Sequence, residues 1–126
     1  MSIALVVDDD LDIRELVSLV AQRAGCEVVE AANGAAALAA VEHAVPDIVI
    51  LDVAMPGMSG LEVCRQLRDD PATRDVPVLM LSAAARPVEH AAGLQSGADL
   101  YLTKPFSPAA LADQITRLLT QHARAS

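Results

Sequence analysis

Five short aliphatic runs recur along the chain, and their length and spacing leave few folds open. They occupy residues 3–7, 27–31, 48–51, 78–81 and 99–102. Each has the length of a strand and is rich in β-branched or large aliphatic residues. The segments between them have helical length. Residues 11–24 place Ile13, Leu16, Val17 and Val20 on an amphipathic period. Asn33 is suited to cap a helix over 34–43, and Ser59 one over 60–68. Ser107-Pro108 offers a cap and a first-position proline to a last helix whose Leu111, Ile115, Leu118 and Leu119 share one face. The order is β-α, five times over. The runs lack strict polar alternation, which predicts strands covered on both faces: a parallel sheet flanked by helices, hence an α/β, doubly wound domain. A chain of 126 residues suits one such core.

Charge narrows the function classes. Nine basic against 17 acidic residues give a net charge of -8, which opposes binding to nucleic-acid phosphates or to anionic lipid. With 53% apolar residues and only 6 Gly and 7 Pro, the chain is neither disordered nor fibrous. Cys26 and Cys64 lie 38 residues apart without zinc-type spacing, and are expected to be reduced core thiols. The start has no basic n-region, its apolar run is too short for a signal peptide, and no stretch approaches a membrane span; a soluble cytoplasmic protein is expected. His43, His90 and His122 are scattered over expected helices and read as surface or packing residues.

Open parallel sheets place ligands beyond the carboxyl ends of their strands, so the residues following each run carry the chemistry. Run 1 ends in Asp8-Asp9-Asp10, run 3 in Asp52, run 4 in Ser82, and run 5 in Thr103-Lys104-Pro105. Run 2, ending in Ala31-Ala32, contributes nothing evident and suits an edge. Converging carboxylates repel unless a hard cation joins them, and a few carboxylate oxygens with open positions suit Mg²⁺. An aspartate in such a place can also act as the nucleophile in phosphoryl transfer, with a lysine and a hydroxyl receiving the phosphoryl oxygens. Each residue taken singly has a plainer reading. One or two of Asp8, Asp9 and Asp10 could simply cap the first helix, Asp10 being the preferred cap. Asp52 could open a turn before Met55-Pro56-Gly57, Ser82 could be a loop hydroxyl, and Lys104 a solvated charge. Their joint arrival at four strand ends favours the site.

These residues resemble the receiver domain of bacterial two-component response regulators. The likeness rests on Leu5-Val6-Val7-Asp8-Asp9-Asp10, on Asp52-Val53-Ala54-Met55-Pro56-Gly57-Met58-Ser59-Gly60, on Leu81-Ser82-Ala83 and on Lys104-Pro105-Phe106, and it runs essentially end to end. The separations, 30 residues from Asp52 to Ser82 and 22 from Ser82 to Lys104, also match. The resemblance implies a flavodoxin-like sheet of order 2-1-3-4-5 with five helices, and a receiver over residues 1–122 followed by a polar tail or linker start at 123–126. It implies that Asp52 is the phosphoacceptor, and that Asp8, Asp9, Asp52 and the Ala54 backbone carbonyl hold Mg²⁺. Ser82 is then the switch hydroxyl, Tyr101 the aromatic switch, and Lys104 the phosphate-pairing lysine, with a cis bond to Pro105. Tyr101 also has a plainer reading as packing against a helix. The implied partners are a sensor histidine kinase or histidine phosphotransfer protein upstream, and an effector protein or fused output domain downstream. The implied domain is a monomer or phosphorylation-dependent dimer, without direct contact to nucleic acid or membrane, and it catalyses only its own phosphotransfer and dephosphorylation.

Departures from the commoner family pattern are small. Ala54 and Ala84 stand where many relatives carry larger or polar side chains that influence dephosphorylation, and Ser82 stands where threonine is frequent. An aspartate-nucleophile phosphatase is a competing reading, but those enzymes usually carry a general acid two residues after the nucleophile, where this chain has Ala54. A nucleotide-binding domain is a third, and neither Gly-x-Gly-x-x-Gly nor Gly-x-x-x-x-Gly-Lys follows the first run. A stand-alone phosphate shuttle and a receiver cut from a longer regulator both remain open. Lys104 is the single lysine beside eight arginines, which suggests a place where a compact ammonium is needed.

Overall fold

The computed structural model describes residues 2–83 and 87–125, with the side chains of 87–90 and 122–125 outside that description. Ala84 and the side chains of His90 and His122 therefore lie outside the described residues. Five strands, β1 (Ser2–Val7), β2 (Cys26–Ala31), β3 (Ile48–Asp52), β4 (Val78–Ser82) and β5 (Leu100–Thr103), alternate with helices α1 (Leu11–Arg23), α2 (Gly34–His43), α3 (Gly60–Asp69), α4 (Pro87–Gln95) and α5 (Pro108–Ala125). All strand pairs are parallel, in the order β2-β1-β3-β4-β5. The expected α/β doubly wound sheet is thus found, with its order.

Strand periodicity divides the apolar residues between two cores. Leu5, Val7, Val49, Leu51, Val78 and Met80 point to one face, with Ala37 and Val41 of α2 and Val63, Cys64 and Leu67 of α3. Ala4, Val6, Ile48, Ile50, Leu79 and Leu81 point to the other, with Val17, Val20 and Ala21 of α1 and Leu111, Ile115 and Leu118 of α5. Both faces of β1, β3 and β4 are covered, which is why those runs read as continuously apolar. Each fully buried Leu, Ile or Val contributes about 1.5–3 kcal/mol, and truncation of Leu51 to alanine would cost about 2–5 kcal/mol.

Edges depart from that pattern. In β2, Glu27, Val29 and Glu30 are exposed while Cys26 and Ala31 are buried, one in each core, so this run is only partly covered on both faces, as suits its position at the edge. In α1, Leu16 is 37% exposed and the buried stripe is Val17, Ser18, Val20 and Ala21. Leu16 sits about 100° round the helix from Val17, and the sheet reaches only one side. The fifth run begins at Leu100 rather than Asp99, whose carboxylate accepts from Val78 N at 2.8 Å and Arg68 Nη2 at 2.9 Å.

The expected caps are in place. Asp10 accepts from Asp12 N and Ile13 N, Asn33 from Ala36 N, Ser59 from Glu62 N, and Ser107 from Ala110 N. The sequence marks α4 least, because Gly93 interrupts it. A Cβ there would fall 2.6 Å from Cδ2 of Tyr101, so glycine is what lets α4 lie against β5. Cys26 and Cys64 are buried and unpaired, and burial pushes both thiols up.

Candidate functional site

Register brings the polar strand ends to one rim. Asp52 ends β3 opposite Leu81, and Ser82 ends β4 opposite Thr103, one residue before Lys104. Asp8 follows β1 directly, its N–H donating to Ala31 O at 3.2 Å. Lys104 N donates to Ser82 O at 2.7 Å, which ties the ends of β4 and β5 together. The Lys104-Pro105 bond is cis.

The Lys104 ammonium then reaches back across the sheet. Nζ donates to Asp52 Oδ1 at 3.0 Å and to Asp8 Oδ2 at 3.2 Å. The other oxygen of Asp8 accepts from Asp10 N at 2.9 Å. Asp8 and Asp52 are buried, at 2% and 5% exposure, while Asp9 stands at the surface. One carboxylate oxygen from each of Asp8, Asp9 and Asp52 lies within 4.8 Å of the other two.

Asp8 and Asp52 therefore share one ammonium, with the Asp9 carboxylate close by. Burial raises the Asp52 pKa; the Lys104 hydrogen bond and charge pull it down, while the charges of Asp8 and Asp9 push it up again. Burial alone would lower the Lys104 pKa, but the hydrogen bonds and charges of Asp52 and Asp8 outweigh it and the net shift is upward. The two directions agree physically: the ammonium has two carboxylate partners, whereas Asp52 is buried, shares its cation with Asp8 and has like-charged neighbours. A cluster of hard oxygen donors with excess negative charge fits a small divalent cation with open coordination positions.

Residues 4–116 match the family described as the response regulator receiver domain. The chain belongs to that family. It is 41% identical over 115 residues to the phosphate regulon transcriptional regulatory protein PhoB of Pseudomonas aeruginosa, covering 91% of this chain and 50% of that protein. It is 41% identical over 118 residues to the DNA-binding response regulator MtrA of Mycobacterium tuberculosis, covering 94% and 50%. The chain thus spans about half the length of the curated relatives it matches. Its fold superposes on the chemotaxis response regulator CheY4 of Vibrio cholerae with a TM-score of 0.88 and 39% identity, covering 94% of this chain and 98% of that one. Receiver domains of this kind serve phosphorylation-dependent two-component signalling.

Within this receiver domain, Asp8, Asp9, Asp52 and Lys104 form one cluster, and Ser82 joins it through the backbone of Lys104. Tyr101 is half-buried on β5 and packs against Gly93 of α4 and the first core. Ala54 is exposed and offers no acidic group beside Asp52. A groove of about 480 Å³ opens next to the site, lined by Asp9, Asn33, Gly34, Gly57 and Met58 among others. His43 is exposed and lines a small apolar cavity at the α2 end, remote from this chemistry.

Two supports escape the sequence reading. Gly60 N donates to Val53 O at 2.9 Å, and a Cβ on Gly60 would run into the Asp52 carbonyl, 2.9 Å from its carbon; glycine lets α3 start directly on the backbone of Asp52. The signal for it was a glycine at a first helical position, where a helix former would serve better. Arg14 bonds the Asp8 carbonyl and Glu30. Its signal was a cation in the first turn of α1, where the helix dipole favours acids.

No helix among the described residues is long and apolar enough to cross a membrane.

Proposed function

We propose that this receiver domain accepts a phosphoryl group on Asp52 from a phosphohistidine of a sensor histidine kinase or histidine phosphotransfer protein. A carboxylate oxygen of Asp52 forms the new bond to phosphorus as the P–N bond breaks, and the released imidazole takes a proton from water. The observation that carries the reading is the convergence of Asp8, Asp9, Asp52 and Lys104, which neither capping nor surface solvation would require. Asp8, Asp9, Asp52 and the Ala54 carbonyl would hold Mg²⁺, which when bound offsets the negative charge of the transferring group. Lys104, already hydrogen-bonded to the nucleophile, pairs with a phosphoryl oxygen, and Ser82 donates to another. An aspartyl phosphate adds roughly two negative charges to a site already in surplus, so the product depends on those cations.

The output is a change of binding surface over α4, β5 and α5, with Tyr101 on β5 following Ser82 and Lys104. It would be read by an effector protein or by an output half joined to this receiver, in monomers or in a phosphorylation-dependent dimer. The domain works in the cytoplasm and turns over no substrate besides its own phosphoryl group. The alanine at position 54 speaks against a phosphatase acting on free esters, since a methyl group cannot donate a proton.

Incubation with acetyl phosphate and Mg²⁺, followed by intact mass measurement, tests this. The wild type should gain one phosphoryl group, EDTA should prevent the gain, and Asp52→Ala should show none. A wild type that stays unmodified, or an Asp52→Ala variant that is modified equally, overturns the proposal.

A further inference from the structure

The three carboxylates of the site are not held alike. Asp8 is fixed through both oxygens, by Lys104 and by Asp10 N, and Asp52 is fixed by Lys104. Among the described residues, Asp9 has neither hydrogen bond nor ion pair on its carboxylate and stands exposed. Only the backbone places it. The Asp8–Asp9 peptide plane, in turn, is gripped from outside the site: Arg14 Nη1 donates to Asp8 O at 3.0 Å, while Arg14 Nε donates to Glu30 Oε1 at 3.0 Å. Arg14 is 17% exposed, and its own N–H donates to Asp10 O at 2.9 Å, so the helix that Asp10 caps fixes its origin.

We infer that Arg14 is the positioning residue for Asp9 and so sets the domain's affinity for a divalent cation, with Glu30 on the edge strand as its anchor. This rests on the cation site of the proposed function. β2, whose last residues offer the site no side chain, thereby contributes through a salt bridge one step removed. The guanidinium is suited to the task because one planar fork serves a carbonyl and a carboxylate at once; a lysine in its place can direct its single nitrogen well to only one of them. Groups that orient metal ligands from outside the coordination sphere typically change affinity by about 10–100-fold.

Simple charge and positioning predict opposite signs. Arg14 is a cation near a cation site, so through space alone its removal tightens Mg²⁺ binding. If it positions Asp9, its removal loosens binding despite that gain. Calorimetric titration of the 126-residue chain with MgCl₂ should show Arg14→Ala weakened about 10-fold, Arg14→Lys weakened by less, and Glu30→Ala weakened in the same direction. In a double-mutant cycle, Glu30→Ala should add little once Arg14 is alanine. Thermal unfolding in EDTA identifies any variant that has failed to fold, and Arg14→Lys, which keeps charge and bulk, carries the test in that event. Unchanged or tighter Mg²⁺ binding in folded Arg14→Ala overturns the inference while leaving the proposed function intact. A wild type that takes up no Mg²⁺ overturns both.

Discussion

Replacing Asp52 by asparagine should make the metal-free domain more stable. The Lys104 ammonium lies 3.0 Å from Asp52 Oδ1, an attraction of about 5.5 kcal/mol at an effective dielectric constant of ~20. A carboxylate oxygen of Asp8 lies within 4.8 Å, a repulsion of at least about 3.5 kcal/mol on the same scale. Asp9, being exposed, adds a screened repulsion. These contributions come close to cancelling, and the burial of Asp52 decides the balance, since an ion removed from water loses several kcal/mol of hydration. Asparagine keeps the size and an acceptor for Lys104 but carries no charge. The expected gain is about 1–3 kcal/mol, or roughly 3–10 °C in Tm for a domain of this size. Circular-dichroism melts in EDTA measure it, and pH supplies a second check. The fold raises the Asp52 pKa, so the cost of its charge is present above that raised value and vanishes as the pH falls below the unfolded one. The gap between variant and wild type should therefore shrink on acidification from pH 8. Saturating Mg²⁺ should reverse the order, because at 1,000-fold excess over Kd a bound ion adds about 4.1 kcal/mol to the wild type. An asparagine variant less stable than wild type in EDTA at pH 8, or a gap that widens in acid, refutes the charge-surplus reasoning.

Three further outcomes are expected. Lys104→Arg keeps the charge and the fold, but a planar guanidinium cannot occupy the point where one nitrogen bonds both Asp8 and Asp52; phosphorylation of Asp52 should persist by mass while the accompanying NMR shifts in α4 and β5 are lost. Gly60→Ala places a methyl group against the Asp52 carbonyl and should cost about 1–3 kcal/mol in urea unfolding, together with slower phosphorylation; a silent variant would show that α3 moves away without consequence. Arg68→Ala removes a guanidinium that bonds Gly97 O, Arg74 O, Val76 O and Asp99 Oδ2 at 2.7–2.9 Å, and should cost about 2–4 kcal/mol, well above the ~0–1 kcal/mol of an exposed ion pair; a loss under 1 kcal/mol would class it with those.

What the sequence disclosed depended on whether a feature is periodic. The central strands betray their burial by unbroken aliphatic runs, and Asp10, Asn33, Ser59 and Ser107 stand where a helix start needs a side-chain acceptor. The site was legible for the same reason: strand ends are local features, and in a parallel sheet all carboxyl ends share a rim. Leu16 was misplaced because an amphipathic count cannot tell how far round a helix its sheet extends. Arg14 and Arg68 went unread because their bonds join elements 16 and 31 residues apart with no repeating spacing to announce them. Gly60 and Gly93 look like weak points in helices, and only the neighbouring backbone of Asp52 and ring of Tyr101 explain them.

Lys104 is the point where charge and geometry meet. Its ammonium is held by side chains from the ends of β1 and β3, and its amide is held by the last carbonyl of β4. Three residues earlier on the same chain, Tyr101 supports α4 through Gly93. A phosphoryl group on Asp52 would draw the ammonium from carboxylate to phosphoryl oxygens, and the short strand β5 has only four residues over which to absorb the shift. The site rim and α4 are therefore joined by one short strand, which would give the proposed switch a physical route. The same proposed role would favour lysine over arginine at position 104. An ammonium can exchange oxygen partners by turning about one nitrogen, whereas a planar guanidinium would have to reorient its fork against packed strands.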